Sequence, residues 1–275
     1  MTLSESFMRS KIASDTSLIV TTYNNPPFLE LVLKSLLRQK VMPVEIIVAD
    51  DGSTDPTRQL IDRYRPLFPV PLIHSWIPDE GFRAAKSRNM AIARAVGDYI
   101  ICIDGDIVVG RFFVHDHIML RKPGFFVNGD RARFTQGATQ RKLKSLNPRV
   151  HVFTPGLLRP LKFLRLPWMH RFVKGATGRR KIRSCNMSFW KSDLLKVNGF
   201  DEQFVGWGSE DVDIVFRLYN AGVQRKNAKG VAACVHLWHP HVGASFDNMD
   251  NNRAIANEAA RTGRIRAQVG LDQYM

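Results

Sequence analysis

Two aspartates separated by one glycine, Asp104-Gly105-Asp106, end the apolar run that begins at Tyr99. Carboxylates held together in an apolar setting need a cation or strong hydrogen-bond donors, because uncompensated buried charge is costly. Their oxygens suit Mg²⁺ or Mn²⁺, ions that commonly share a shell with phosphates. Solvated acidic turns have the same form, so the pattern needs company. A second acidic pair stands in Gly206-Trp207-Gly208-Ser209-Glu210-Asp211-Val212-Asp213. Two glycines there free the backbone, Trp207 offers a flat apolar face to a sugar, and Glu210-Asp211 opens a helix. Acids in a first helical turn also serve as caps and dipole complements. A third group, His236-Leu237-Trp238-His239 with His241 beyond it, ends an apolar run. It can bind a metal or be purely structural.

These groups need elements to hold them. Ser17–Tyr23, Val44–Asp50, Val70–Trp76 and Tyr99–Asp104 are short apolar runs rich in β-branched residues, and each reads as a buried strand. Pro26-Pro27 opens a helix bearing Leu29, Val32, Leu33, Leu36 and Leu37, and another helix is expected from about Arg83 to Ala95. Such strand–helix repeats predict an α/β fold with a parallel sheet covered on both faces. Ligands of such sheets bind beyond the carboxyl ends of the strands, where Tyr23, Asp51 and Asp104 fall. Later the pattern loosens. Helices are expected at Phe112–Leu120, Asp211–Ala221 and in the tail from Asp247, and strands at Gly124–Asn128, Arg183–Trp190 and Lys229–Leu237. The segment from Arg131 to Arg183 reads as loop with short amphipathic helices.

The 275 residues, 44% hydrophobic with five Trp, can fill a substantial core. Neither an apolar run long enough to span a bilayer nor a secretory leader is present, so a cytoplasmic protein is expected. Cys102, Cys185 and Cys234 sit in separate apolar stretches and read as reduced core thiols. Between Asp130 and Asp193 there are sixteen Lys and Arg and no Asp or Glu, which accounts for the whole net charge of +15. That stretch is either a solubilising surface or one basic face for an anionic partner: a membrane, an acidic glycan or nucleic acid. Within it, Leu157–Lys174 interleaves Leu, Phe and Trp with Arg and Lys, the composition of an interfacial membrane segment. Pro160 and Pro167 rule out one continuous helix there. No nucleic-acid-binding motif accompanies the charge, so nucleic acid is the least favoured partner.

Taken in order, Val20–Asn24 (VTTYN), Ala49–Asp55 (ADDGSTD), Ile103–Asp106 (IDGD) and Asn198–Asp213 (NGFDEQFVGWGSEDVD) resemble the GT-A-fold glycosyltransferases. The chain is most similar to the inverting family 2 enzymes whose second half is of the β1,4-galactosyltransferase and chondroitin-polymerase type. The resemblance runs from about Leu18 to Pro240. It implies a single GT-A domain: a nucleotide-sugar-binding half (1–106), an acceptor and catalytic half (107–241) and a helical tail (242–275).

By that resemblance Thr21 and Tyr23 would frame a nucleobase, with Asp51 rather than Asp50 accepting from the uracil imide. Phe82, Arg83 and Arg88 would pack on the nucleoside and steady its phosphates. Asp104 would meet the ribose or a metal, and Asp106 would ligate the metal. The galactosyltransferases have Met-x-x-His where this chain has His236-Leu237-Trp238-His239, so both histidines become candidate ligands and the choice between Mn²⁺ and Mg²⁺ stays open. Asp211 would be the general base and Glu210 would hold sugar hydroxyls, with Trp207, Gly208 and Asn186 as further substrate contacts. The implied reaction transfers one hexose or N-acetylhexosamine from a UDP-sugar to a bacterial surface glycan such as lipopolysaccharide, O-antigen or capsule precursor. A lipid-linked acceptor would put the enzyme on the cytoplasmic face of the inner membrane. A basic nucleic-acid-binding module and a non-catalytic sugar-binding domain are the competing readings.

Overall fold

The computed structural model describes residues 11–177, 182, 184–240 and 248–275. His241, the basic residues Arg179, Arg180, Lys181 and Arg183, and the expected helix start at Asp247 lie outside them. In chain order, the first part contains β1 (Lys11–Thr22), α1 (Pro26–Leu36), β2 (Val41–Asp50), α2 (Asp55–Tyr64), β3 (Leu72–Trp76), α3 (Ala84–Arg94) and β4 (Tyr99–Asp104). Then come β5 (Ile107–Val109), α4 (Phe113–Leu120), β6 (Phe125–Gly129), β7 (Ala132–Phe134), α5 (Gln136–Ser145), β8 (Leu157–Leu158) and β9 (Gly175–Ala176). The last part holds β10 (Asn186–Trp190), α6 (Lys191–Lys196), α7 (Glu210–Asn220), β11 (Gln224–Ala228), β12 (Cys234–His236) and α8 (Met249–Thr262).

The main sheet has the order β3-β2-β1-β4-β10-β6-β11-β9, and its first four strands are parallel. Alternation along each strand divides the core. Leu18, Val20, Ile46, Val48, Ile101 and Ile103 face α1 and α2 with Val32, Leu33, Leu60 and Ile61. Ile19, Ile47, Ile100 and Cys102 face the opposite layer, where α3 and α7 contribute Ala91, Ile92, Ile214 and Leu218. Burial on both faces is why these strands read as continuous apolar runs. A smaller sheet, β5-β12-β7-β8, packs Val108, Phe134, Val235 and Leu237 around its own core. All three cysteines are buried and unbridged. No helix among the described residues is long and apolar enough to cross a membrane.

The structure departs from the expected elements at several strands: β5, β7, β8 and β9 were not expected, and two further cases have a clear cause. β1 begins at Lys11 rather than Ser17, because Lys11–Ala13 pair with Val41–Pro43 ahead of a register shift. Those residues are mostly exposed, so no apolar pattern marks them. The strand expected at Lys229–Leu237 narrows to β12, and a strand that was not expected precedes it. The polar run QRKNA forms β11 between β6 and β9, and Lys229-Gly230 turns the chain before β12. Pairing on both sides satisfies the β11 backbone, so strand formation there did not require apolar side chains.

Candidate active site

Register brings the acidic strand ends together: Thr21 pairs with Asp104 across β1 and β4, and Thr22 with Asp50 across β1 and β2. Gly105 lies so close to β1 that a Cβ there would sit 2.9 Å from the Thr21 carbonyl oxygen. Only glycine fits that turn.

Of the adjacent aspartates, Asp50 is fully committed. Its Oδ1 accepts from the Ser53 N–H at 2.9 Å, and its Oδ2 meets His74 Nε2 at 2.7 Å. Asp51 is half-used. Its Oδ2 accepts from the Arg83 N–H at 2.8 Å, while its buried Oδ1 has no partner. Burial pushes the Asp51 carboxyl up to about 7 against the opposing Arg83 hydrogen bond. Tyr23 is 48% exposed at the rim, where its hydroxyl donates to Asp79 at 3.0 Å. The Phe82 carbonyl accepts from the Gly206 N–H at 3.3 Å, so the Phe82-Arg83 loop touches the glycine-rich loop before α7.

Arg88, projecting from α3, is the hub of the site. Its Nε donates to Thr21 Oγ1 (3.2 Å) and Nη1 to Glu210 Oε1 (3.1 Å). Its Nη2 reaches Asp104 Oδ1 and Ser184 Oγ, both at 3.3 Å. The guanidinium is 4% exposed and also lies over the Phe200 ring at 5.2 Å. Burial disfavours its charge, yet Asp104 and Glu210 more than compensate and hold its pKa above the ordinary value. Every guanidinium nitrogen is engaged with protein in this arrangement, where Arg88 positions carboxylates.

Asp106 gathers the two histidines. Its Oδ2 lies 3.1 Å from His236 Nε2 and 2.9 Å from His239 Nε2, and the three ligand atoms lie within 4.8 Å of one another. The small sheet makes this meeting: β12 pairs with β5 so that His236 faces Ile107, and the Leu237 N–H donates to the Asp106 carbonyl at 3.0 Å. Burial opposes the Asp106 charge, but hydrogen bonds from His236 and His239 prevail and hold it below the usual carboxylate range. The bond to Asp106 raises His239. Asp106 Oδ1 is buried without a partner. Asp104, expected as a further ligand, does not join the cluster. It is turned to Arg88, and burial raises its pKa against the pull of that cation.

The loop before α7 is built on left-handed backbone, with φ of 76° at Gly206, 107° at Gly208 and 73° at Ser209. Nothing lies within 4 Å of a Cβ added at Gly208, so its φ alone requires glycine. Trp207 is 40% exposed. Glu210 turns to Arg88, and Asp211 Oδ2 accepts from the Ser184 N–H at 3.2 Å. Burial, then the neighbouring Glu210 charge, pushes Asp211 up to about 7. Behind them Asp213 is fully buried and bonds Arg217 Nε (2.7 Å) and Arg264 Nη2 (3.1 Å).

Asn186 is a correction. It is fully buried, donating to the Asp130 and Ala232 carbonyls and accepting at Oδ1 from His117, so it supports the sheet and does not face a substrate. Two residues of the site were not singled out for it from sequence. Ser184 binds both Arg88 and Asp211, and no pattern marks it. Arg131, whose Nη1 bonds Cys185 Sγ at 2.8 Å, is raised by that contact and by the charges of Asp104 and Asp106 despite its burial. It was visible only as one cation among sixteen.

Residues 17–184 match glycosyl transferase family 2, and residues 171–240 match the segment described as the N-terminal domain of galactosyltransferase. A hyaluronan synthase of Pasteurella multocida is 30% identical over 79% of this chain and 24% of its own length. A validoxylamine A glucosyltransferase of Streptomyces hygroscopicus subsp. limoneus is 27% identical over 75% of this chain and 48% of its own. This chain thus spans a quarter to a half of these curated relatives. The solved structure of S. aureus TarS 1–349 in complex with UDP-GlcNAc is similar in fold, with a TM-score of 0.61 at 17% identity over 94% of this chain and 69% of that one. With its sheet order and strand-end carboxylates, this chain belongs to glycosyl transferase family 2 and has the GT-A fold.

Proposed function

We propose that the chain is an inverting glycosyltransferase that moves one hexose or N-acetylhexosamine from a UDP-sugar to a hydroxyl of a bacterial surface glycan. The observation that carries this reading is the bridge made by Arg88, which bonds Asp104 of the nucleotide half and Glu210 of the acceptor half at once. Donor and acceptor chemistry thereby share one wall. Asp51, with a buried and unpartnered Oδ1 at a strand end, suits a uracil imide N–H. TarS is seen with UDP and with UDP-GlcNAc, which supports a uridine donor.

The Asp106, His236 and His239 cluster fits a divalent ion. It offers one carboxylate and two imidazoles, and the orphaned Asp106 Oδ1 is a buried acceptor in need of a cation. Two nitrogen ligands favour Mn²⁺ over Mg²⁺, which prefers an oxygen shell. Bound there, the ion would supply positive charge to a departing diphosphate.

In the proposed step Asp211 accepts the proton of the acceptor hydroxyl. The acceptor oxygen bonds the anomeric carbon from the face opposite the nucleotide as the bond to the diphosphate oxygen breaks. UDP leaves, and an α-linked donor gives a β-linked product. The Ser184 N–H keeps one Asp211 oxygen in place, Arg88 holds Glu210 to orient sugar hydroxyls, and Trp207 offers a stacking face. A panel of UDP-sugars with an oligosaccharide acceptor, followed by proton NMR of the product, tests this. A β-anomer with stoichiometric UDP is expected; retention, or transfer from no donor in the panel, overturns it.

A further inference from the structure

The segment from His151 to Phe172 takes no part in the site above, yet it carries the three most exposed large apolar side chains among the described residues. Phe153 is 87% exposed, Leu161 79% and Phe172 71%, with Trp168 at 59% and Leu158 at 48% beside them. This is no loose strap. Arg165 grips Asp116 through Nε (2.8 Å) and Nη2 (2.6 Å), Lys162 pairs with Asp130, and the Leu166 N–H donates to the Gly230 carbonyl at 2.7 Å. Phe163 is buried against the small sheet, whose edge strand is β8. Trp168 and Phe172 stack edge-on with ring centroids 6.0 Å apart. Two short 3₁₀ turns, Pro160–Lys162 and Pro167–Phe172, thus present apolar side chains to water from an anchored backbone.

Next to Phe153 lies a cleft of about 480 Å³ walled by Arg141, Lys142, Arg149 and His151. Phe153 stands on the same loop as its lining residues His151, Thr154 and Pro155. Among the described residues no carboxylate pairs with Arg141, Lys142 or Arg149; Arg141 and Lys142 donate to backbone carbonyls instead. The cations crowd one another. Lys142 is lowered by burial and then by Arg38, and Arg38 by burial, Arg149 and Arg111. Arg159, Arg171 and Lys174 add charge along the exposed segment, which contains no acid.

We infer that this face docks on an anionic lipid bilayer, with Phe153, Leu161, Trp168 and Phe172 entering the headgroup boundary and the Arg141–Arg149 cleft receiving headgroup phosphate. Exposed apolar patches of this kind mark interaction sites. A soluble acidic glycan would use the cations and could stack on a ring, but it would leave the exposed Leu158 and Leu161 side chains in water, and a neutral apolar partner would leave the cations uncompensated. A bilayer of anionic lipid satisfies both, since apolar side chains partition into its interface while each nearby cation adds about 1 kcal/mol. Lys162 ties the face to Asp130, which precedes Arg131 of the site in the chain.

The test is co-sedimentation of the full chain with phosphatidylglycerol-containing and pure phosphatidylcholine vesicles at low and high salt. Binding to the anionic vesicles alone, released by salt, is expected. The decisive comparison is the triple variant Phe153→Ser, Leu161→Ser, Phe172→Ser, which keeps every charge. Its vesicle affinity should fall at least about tenfold, and Arg141→Glu with Arg149→Glu should also weaken binding. Should the triple variant fold poorly, Trp168 fluorescence serves instead: a blue shift on adding anionic vesicles to the wild type, absent in Trp168→Phe. The inference is overturned if the wild type ignores anionic vesicles at low salt or the folded triple variant binds as well as wild type. It is equally overturned if the wild type binds phosphatidylcholine vesicles as tightly as anionic ones, which would leave the cations without a role. These readouts do not involve sugar transfer, so they stand or fall apart from the proposed activity.

Discussion

Arg88 and Glu210 meet at 3.1 Å although 122 positions separate them in the chain. The contact is almost wholly buried, with the Arg88 side chain 5% and the Glu210 side chain 12% exposed. A buried pair of this kind is costly to break one-sidedly. We expect Arg88→Met to destabilise the protein by about 3–5 kcal/mol and to abolish transfer. Denaturant unfolding checks the first outcome; a loss below about 1 kcal/mol would show that Arg88 is not the hub the geometry describes.

Asp211→Asn should reduce kcat by about 10²–10⁴-fold while leaving UDP affinity within a few-fold of wild type. As a base that ionises near 7, Asp211 must be deprotonated to work, so the wild-type rate should fall as pH drops below about 7. Rate profiles from pH 5 to 9 decide this. A flat acid limb, or near-normal turnover in the variant, removes Asp211 from the role.

Asp106→Ala and His239→Ala should each weaken Mn²⁺ binding at least about tenfold, the lower end of what losing even an outer-shell partner costs. Calorimetric titration measures it directly. Asp116 would not serve as a control, because it is buried beneath Arg165 and accepts from the Ala232 N–H. Asp250, on the exposed face of α8, is suitable, and Asp250→Ala should leave Mn²⁺ affinity unchanged. Equal affinity in all four proteins would place any ion elsewhere.

Asp51 links function to stability. Its folded-state carboxyl ionises near 7, well above the value of about 4 in an unfolded chain. The stability it contributes is complete below pH 4 and is lost as pH rises through 7. Asp51→Asn keeps an acceptor for the Arg83 N–H but cannot ionise. It should therefore leave stability unchanged at pH 4 and raise it by up to about 4 kcal/mol at pH 8, three tenfold steps in ionisation at about 1.4 kcal/mol each. UDP affinity should fall in the same variant. Destabilisation at pH 8 would contradict the burial argument.

The first part of the chain, through β4, was legible in the sequence because its strands are buried on both faces, and such strands print themselves as apolar runs. Tyr99–Asp104 is the strand that the sequence predicts, end to end. The carboxylates at strand ends were legible for the same reason: a charge that interrupts a run of Ile and Cys has to be doing something. β11 was not legible, since its pairing satisfies backbone groups and imposes little on side chains. The commitments of individual groups were also hidden. Arg88 and Asn186 have residue types that bind ligands elsewhere, but here their donors are consumed by partners far along the chain: Glu210 for one, Ala232 for the other. The Asp106 histidines could be named as candidates, but only the small sheet brings them to one oxygen.

The buried group behind α7 carries a consequence of its own. Asp201 and Asp213 are both fully buried and share Arg264, while Arg217 serves Asp213 from within α7. A ribosome delivers Arg264 after every other member of that group, after all the site residues named above and after α8. Until it emerges, the helix that begins with Glu210 and Asp211 is left with two interior negative charges and one positive, a state that disfavours packing. Translation thus supplies last the cation that balances the buried charges behind α7, only once the chain has passed α8.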